Sequence, residues 1–269
     1  MVQSTHRLDI GECEVAKTYV DWANGEPDRE WQALTLLHRC APGLAPRPLR
    51  RGTAEGRPFV VMSRVPGKPL GDAPLTQAQV AGLGEAMRRI YRSVPRDALD
   101  ALAERTLGPS QMVARVRAWI GEPRGPVSPF VDQTLVVAAG WLEGHEAWAV
   151  AERCRERVFT PADGNLGNFL WDGSRCYAVD FEDSGSSDLA FEVADFVEHV
   201  SVWLDAMVTA EALTPYLELT AEERRRFLLC RRLFAVYWLL MLLPGNPAHV
   251  RNPEGTLERQ ANRVVDLMA

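Results

Sequence analysis

The sequence predicts an α+β chain in two lobes: a small β-rich N-terminal lobe over residues 1–65 and a larger, mainly helical C-terminal lobe over 66–269. Three observations support this. Strand-forming runs crowd the first lobe, with Val15-Ala16-Lys17-Thr18-Tyr19-Val20 and Phe59-Val60-Val61-Met62 the clearest. From Thr76 onward apolar residues recur at helical spacing, as in Val80, Leu83, Met87 and Ile90. Among those helical stretches, the segment 158–182 reads as short strands around an Asp172-Gly173 turn.

In chain order, residues 2–8 and 13–20 predict two strands around the turn Asp9-Ile10-Gly11-Glu12. Alternation sets Val15, Lys17 and Tyr19 on one face. A helix opens between Asn24 and Asp28, with Pro27 suited to its first turn and Trp31, Leu34, Leu37 and Cys40 forming the buried stripe. Glu30 lies early enough in that helix to reach back to Lys17; Glu26 is a lesser candidate. After a link containing Pro42, Pro46 and Pro48, residues 49–51 and 59–62 supply the remaining strands, and Ser63-Arg64-Val65-Pro66-Gly67 breaks the pattern. Pro66-Gly67-Lys68 is not a phosphate loop of the Walker type, because Pro69 stands where Ser or Thr is required. Thr76 and Gln79 form a capping box, and the helix they open ends at Ser93-Val94-Pro95. Helical stretches alternate with a Pro/Gly link over 97–150, and 133–148 predicts one long helix. Residues 184–187 read as a Ser/Gly loop ending at Asp188, the cap of a helix over 189–208. Glu192, Asp195, Glu198 and His199 share the polar side of that helix. Thr220 and Glu223 cap a last long helix to Leu243, stopped by Pro244-Gly245, and 257–268 adds a terminal one.

Composition narrows the function. Apolar content of 46% and charge of 25% are ordinary for a soluble globular protein, and a net charge of -6 argues against a nucleic-acid partner. An acidic surface suits a cationic small-molecule substrate. Five scattered cysteines without a C-x-x-C pair predict reduced thiols and a cytoplasmic location. The N-terminus lacks the apolar core of a signal peptide, and the apolar run 233–243 is too short to span a bilayer, so no membrane partner is expected. Of 30 basic residues only Lys17 and Lys68 are lysine. A lysine kept in an arginine-rich chain suggests a compact charge is needed, such as one resting on phosphates in a narrow cleft.

The chemistry centres on Asp163-Gly164-Asn165-Leu166-Gly167-Asn168 and, beyond the hairpin, Val179-Asp180-Phe181-Glu182. Asp163 and Asn168 have the D-x-x-x-x-N spacing of phosphoryl transfer, in which the Asp takes the acceptor hydroxyl and the Asn shares Mg²⁺ with a second Asp. Asn168 and Asp180 supply hard oxygens, and phosphates and waters complete the shell.

This stretch resembles the aminoglycoside phosphotransferase and choline-kinase-like family, whose pattern is H-G-D-x-x-x-x-N, then I-D-[FW]-E, then D-P-x-x-[DE]-L-A. The corresponding residues are Pro161-Ala162-Asp163, Val179-Asp180-Phe181-Glu182 and Asp188-Leu189-Ala190-Phe191-Glu192-Val193-Ala194. Pro161 and Ala162 depart from the family's histidine and glycine, while the base and both metal ligands are kept. The resemblance implies a bilobal protein-kinase-like fold and ATP- or GTP-dependent phosphorylation of a small-molecule hydroxyl, with Mg²⁺ as cofactor and a monomer or homodimer as the assembly. It implies that Val15-Ala16-Lys17 is the kinase-type lysine strand, with Lys17 neutralising phosphates and Glu30 bracing it. By position, Ser63 and Val65 form the hinge that reads adenine, and Asp195, Glu198 and Asp205 border the acceptor. Only sixteen residues precede Lys17, with Gly11 their sole glycine, so the family's first strand and glycine-rich loop are expected to be lacking. The acceptor is expected to be an aminoglycoside-like or other cationic antibiotic. A kinase of an endogenous amino alcohol, sugar or homoserine-like metabolite, and a non-catalytic binding protein, are the alternatives.

Overall fold

The computed structural model describes residues 6–152, 154 and 156–269. Its N-terminal part is a four-stranded antiparallel sheet in the order β1-β2-β4-β3. Strand β1 (His6–Ile10) pairs with β2 (Glu14–Tyr19) through a tight turn in which the Gly11 N–H donates to the Glu14 carbonyl at 2.9 Å. Asp9 and Ile10, expected in the turn, belong to the strand. Ile10 faces Val15 as Leu8 faces Lys17, which extends one apolar sheet face by a further pair. The part of the first expected strand before His6 lies outside the described residues.

Gly25, at φ 78°, turns the chain into helix α1 (Glu26–Cys40), which buries Ala33, Leu34 and Leu37 and packs against β3 (Pro48–Ala54) and β4 (Arg57–Ser63). Glu55 and Gly56 both have positive φ, as a two-residue primed hairpin turn requires, and join β3 to β4. Glu26 is no partner of Lys17: its carboxylate accepts from the Asn24 N–H and side-chain amide.

After the strap 64–67, β5 (Lys68–Pro69) pairs with β7 (Phe169–Trp171), which pairs with β8 (Cys176–Ala178). This small sheet ties the strap to the central hairpin. Asp172 makes the hairpin turn by accepting the Ser174 and Arg175 N–H groups. Helix α2 (Gln77–Arg92) carries the expected capping box. Its Gly82 and Gly84 are packing positions, since a Cβ there would meet Trp171 and Tyr216, each at 2.5 Å. Helices α3 (Arg96–Asp100), α4 (Pro109–Ile120), α5 (Pro129–Glu143) and α6 (His145–Ala151) follow. The single helix expected over 133–148 is two, because Gly144 takes an extended conformation and caps α6.

Strand β6 (Val158–Thr160) pairs with β9 (Gly185–Ser187), so the expected Ser/Gly loop is a strand, drawn into regular structure by a partner distant in sequence. Asp188 caps α7 (Leu189–Glu198) by accepting the Phe191 N–H at 2.9 Å. The helix expected to run to 208 stops at His199, whose ring nitrogen accepts the Ser201 N–H and caps the short α8 (Val200–Trp203). A 3-10 turn, α9 (Ala210–Leu213), the capped α10 (Ala221–Met241), α11 (Pro247–Arg251) and α12 (Thr256–Met268) complete the chain.

Every residue of α7 is buried, and it packs along α10 with Phe191 and Phe234 at a ring distance of 4.7 Å. The acids on its polar side, Glu192, Asp195 and Glu198, are therefore held in buried ion pairs. No helix among the described residues is long and apolar enough to cross a membrane.

Candidate active site

Between the N-terminal sheet and the small sheet beneath it lies a cavity of about 400 Å³. Leu8, Ile10 and Val15 form its roof, Met62, Ser63 and Val65 its back, and Asn168, Leu170, Val179 and Asp180 its floor. Leu8 and Ile10 are 54% and 61% exposed, an apolar surface on a sheet face that no described element covers. The Ser63 N–H donates to the Arg47 carbonyl at 2.9 Å, and the Ser63 hydroxyl accepts the Arg47 N–H at 2.8 Å. Both groups are thus engaged within the protein, and Ser63 and Val65 line the cavity where the strap begins.

At the inner end stands Lys17, only 2% exposed. Its ammonium touches Glu30 at 2.9 Å, Asp180 at 2.5 Å and Glu182 at 2.9 Å, with the Tyr19 ring 5.3 Å away. Burial opposes the lysine charge, but these carboxylates, Glu30 foremost, hold its pKa well above the ordinary value. Burial pushes the Glu30 carboxyl up, against the pull of Lys17. Although burial also works against the Glu182 charge, bonds from His6 and Lys17 bring that carboxyl down to about 2. Glu30 also accepts the Phe181 N–H at 3.1 Å, so α1 fixes the backbone directly after Asp180. Asp180 itself sits at φ 67°, a left-handed conformation that Asp tolerates better than most residues.

The loop between β6 and β7 carries Asp163. One of its oxygens accepts the Asn165 N–H at 3.0 Å and the other the Asn168 side-chain amide at 2.8 Å. Burial raises its carboxyl pKa, the Asp180 charge adds to that, and the two hydrogen bonds oppose it. Asn168 thereby links the two halves of the site: its nitrogen is on Asp163, and it lines the 400 Å³ cavity with Asp180. The Val179 N–H donates to the Asn168 carbonyl at 2.9 Å, which locks the loop to the strand that delivers Asp180. Among the described residues, the second Asp180 oxygen and the Asn168 amide oxygen have no hydrogen-bond partner. Two hard oxygens on one cavity wall fit an Mg²⁺ that takes its other ligands from phosphates and water. Among the described residues no group of three His, Cys, Asp or Glu could hold a metal by itself.

On the far side of Asp163 lies a second cavity, of about 300 Å³. Asp163, Asp183 and Asp195 supply acids to it, and Tyr237 and Trp238 supply aromatic walls. Asp195 lines this cavity and is bound by the buried Arg105 at 2.7 Å. Burial pushes the Asp195 carboxyl up to about 7, against the pull of Arg105. Glu198 does not reach this cavity: fully buried, it is pinned between Arg231 and Arg263, each at 2.6 Å. Asp205 does not line it either; it is exposed and 3.8 Å from Arg259. Glu198 was expected at the acceptor with Asp195 because both lie on the polar side of one helix, but that side is met at Glu198 by basic residues on neighbouring helices. For Asp205, the break at His199 redirects the chain. Asp183, Arg105 and Glu182 were not singled out. Glu182 was visible as the alternation partner of Asp180, whereas Arg105 is one of 28 arginines, and nothing local to it marks it.

The sequence model of the phosphotransferase enzyme family matches residues 18–228. No curated protein sequence matches the chain. Among solved structures, a choline/ethanolamine kinase family protein from Mesorhizobium loti is similar at a TM-score of 0.64 and 17% identity, over 98% of this chain and 84% of that one. The aminoglycoside phosphotransferase APH(4)-Ia is similar at 0.62 and 17%, over 100% and 91%. Choline kinase LicA from Streptococcus pneumoniae is similar at 0.59 and 14%, over 100% and 90%. The fold is therefore kinase-like, a β-sheet N-terminal region joined to a helical C-terminal part.

Proposed function

Because the chain belongs to the phosphotransferase enzyme family, we propose that it moves the γ-phosphoryl group of ATP onto a hydroxyl of a small cationic molecule. The observation that carries this is Asn168, bonded to Asp163 and lining the same cavity as Asp180. It sets a general base beside two oxygens suited to a metal–triphosphate, as phosphoryl transfer requires.

Each residue then has a task. Residues up to about 65 cover the nucleotide, with Leu8 and Ile10 against the adenine and the strap at Ser63 and Val65 along its edge. Lys17, braced by Glu30, offers a compact positive charge to the phosphates. Asn168 and Asp180 would hold Mg²⁺, which supplies neutralisation of the charge on the β- and γ-phosphates. Asp163 orients the acceptor hydroxyl and takes its proton as the new O–P bond forms and the bond to the bridging oxygen breaks, releasing ADP. An ADP-bound phosphotransferase, APH(2'')-Ib, shares the fold at a TM-score of 0.63 and 11% identity, which supports an adenine nucleotide. The reaction is placed in the cytoplasm, where ATP is present and five unpaired cysteines stay reduced.

The acids of the 300 Å³ cavity favour a cationic acceptor, and an aminoglycoside-like antibiotic is the one we propose. An amino alcohol is the second acceptor class, favoured by the Tyr237 and Trp238 walls, since aromatic faces attract ammonium groups. The test is ADP release with Mg-ATP and a panel of cationic antibiotics and amino alcohols. Release stimulated by one class identifies it. Mg-ATP binding with no release across both classes marks a binding protein instead.

A further inference from the structure

The Asp163 loop holds its shape against a local energetic preference. Ala162 sits at φ 65°, a left-handed conformation that L-residues other than Asn and Asp rarely adopt. Neither Pro161 nor Ala162 has a polar side chain to pay for it, so the restraint comes from elsewhere in the fold. The Ala162 N–H donates to the Thr160 hydroxyl at 2.9 Å, and the Ala162 carbonyl accepts Arg105 Nη2 at 2.8 Å. Arg105 is 5% exposed and lies between α3 and α4, far from the loop in sequence. Its other guanidinium nitrogens are spent on rigid partners: Nη1 on Glu192 at 2.9 Å and Asp195 at 2.7 Å, Nε on the Thr106 carbonyl at 3.0 Å. The Thr160 hydroxyl donates to the same Glu192. Both sides of the Ala162 peptide are therefore referred to one buried carboxylate on α7.

We propose that Arg105 is a positioning residue for phosphoryl transfer: its guanidinium clamps the Ala162 carbonyl to α7 and so sets where Asp163 points. A planar fork holds two carboxylates on one nitrogen and a carbonyl on another at fixed angles and separations, a span that a compact ammonium does not cover. Gly164 completes the wedge, since a Cβ there would lie 2.7 Å from the Asp195 carbonyl oxygen, leaving the loop no slack against α7. This proposal rests on the phosphotransfer function for its kinetic consequence alone; the clamp itself can be measured without it.

The experiment uses Arg105→Lys, which keeps a positive charge beside Glu192 and Asp195 but gives up the carbonyl. Glu192→Gln is the companion, weakening the same ion pair while Arg105 keeps its bond to Ala162. In Arg105→Lys, amide hydrogen exchange across 160–168 should accelerate roughly tenfold or more while α10 keeps its protection. The kcat should fall roughly 10²-fold, as for a displaced catalytic group, with the KM for Mg-ATP within about twofold. Glu192→Gln keeps an acceptor oxygen for Arg105 and Thr160, so its loop exchange should rise less than that of Arg105→Lys. Unchanged loop exchange in folded Arg105→Lys overturns the clamp, and so does Glu192→Gln loosening the loop equally, because the ion pair alone would then be responsible. A wild-type protein that binds no Mg-ATP would refute the phosphotransfer function and leave the exchange result to decide the clamp.

Discussion

Asp163 and Lys17 show how much one side chain can carry in this site. Asp163 spends both oxygens on its own loop, on Asn165 and Asn168, so its orientation is set before any substrate arrives. In Asp163→Asn the loop geometry can persist while the base is lost, and kcat should fall by about 10²–10⁴ with Mg-ATP affinity little changed. Steady-state ADP release together with calorimetry checks both halves. Lys17 sits among three carboxylates, and removing its charge leaves Glu30 buried without compensation. Lys17→Met should therefore lower unfolding free energy by roughly 3 kcal/mol, read by urea denaturation, and weaken Mg-ATP binding as well. The D-x-x-x-x-N spacing and the V-D-F-E strand made Asp163, Asn168 and Asp180 legible in the sequence, because the loop that joins Asp163 to Asn168 is local in the chain. Arg105 and Asp183 were illegible because their partners are brought by folding from distant segments. Glu198 was misplaced for the same reason: its arginines lie on α10 and α12.

At the scale of elements, most caps and turns could be read from the sequence. Thr76 with Gln79, Asp188 and Thr220 with Glu223 all cap helices as their local chemistry requires. What periodicity could not show was interruption. Gly144 splits one apolar helical run and His199 another, the latter because a ring nitrogen satisfies the Ser201 N–H and offers the chain an alternative to the next helical turn. Glycines inside α2 carry the clearest element-level test. Gly84→Ala would improve intrinsic helix propensity, yet the added Cβ lands 2.5 Å from the Tyr216 side chain. The clash should win, with a net destabilisation of about 1–3 kcal/mol in urea denaturation. A more stable variant would mean that the contact between α2 and the turn at Tyr216 yields easily.

At the scale of the whole molecule, the β-rich and helical parts meet through a few polar crossings, of which Lys17 to Asp180 and Glu30 to the Phe181 N–H lie at the cavity. The two-part architecture was visible in the sequence as a change from strand runs to helical stripes. The sheet order was not, since it depends on pairings between distant strands. Stability should follow pH through buried groups of known sign. Burial lowers the His199 ring to about 3, below its unfolded value near 6.5. Its contribution is therefore fully present above about 6.5 and is lost as pH falls toward 3, because the unfolded chain takes up the proton first. His199→Asn keeps a capping side chain without a titrating one. It should flatten the loss of stability between pH 7 and 5 by on the order of 1 kcal/mol, a value discounted because the ring is partly open to the second cavity. The central claim joins both parts of the molecule: Asp180 and Asn168 present a metal–nucleotide complex to Asp163. Its most direct test is calorimetric titration of ATP with and without Mg²⁺ into the wild type and Asp180→Asn, a variant that keeps a side chain tolerant of the left-handed backbone. Mg²⁺-dependent binding in the wild type that weakens roughly tenfold or more in Asp180→Asn is the expected result. Binding that ignores Mg²⁺, or that Asp180→Asn leaves intact, would contradict it.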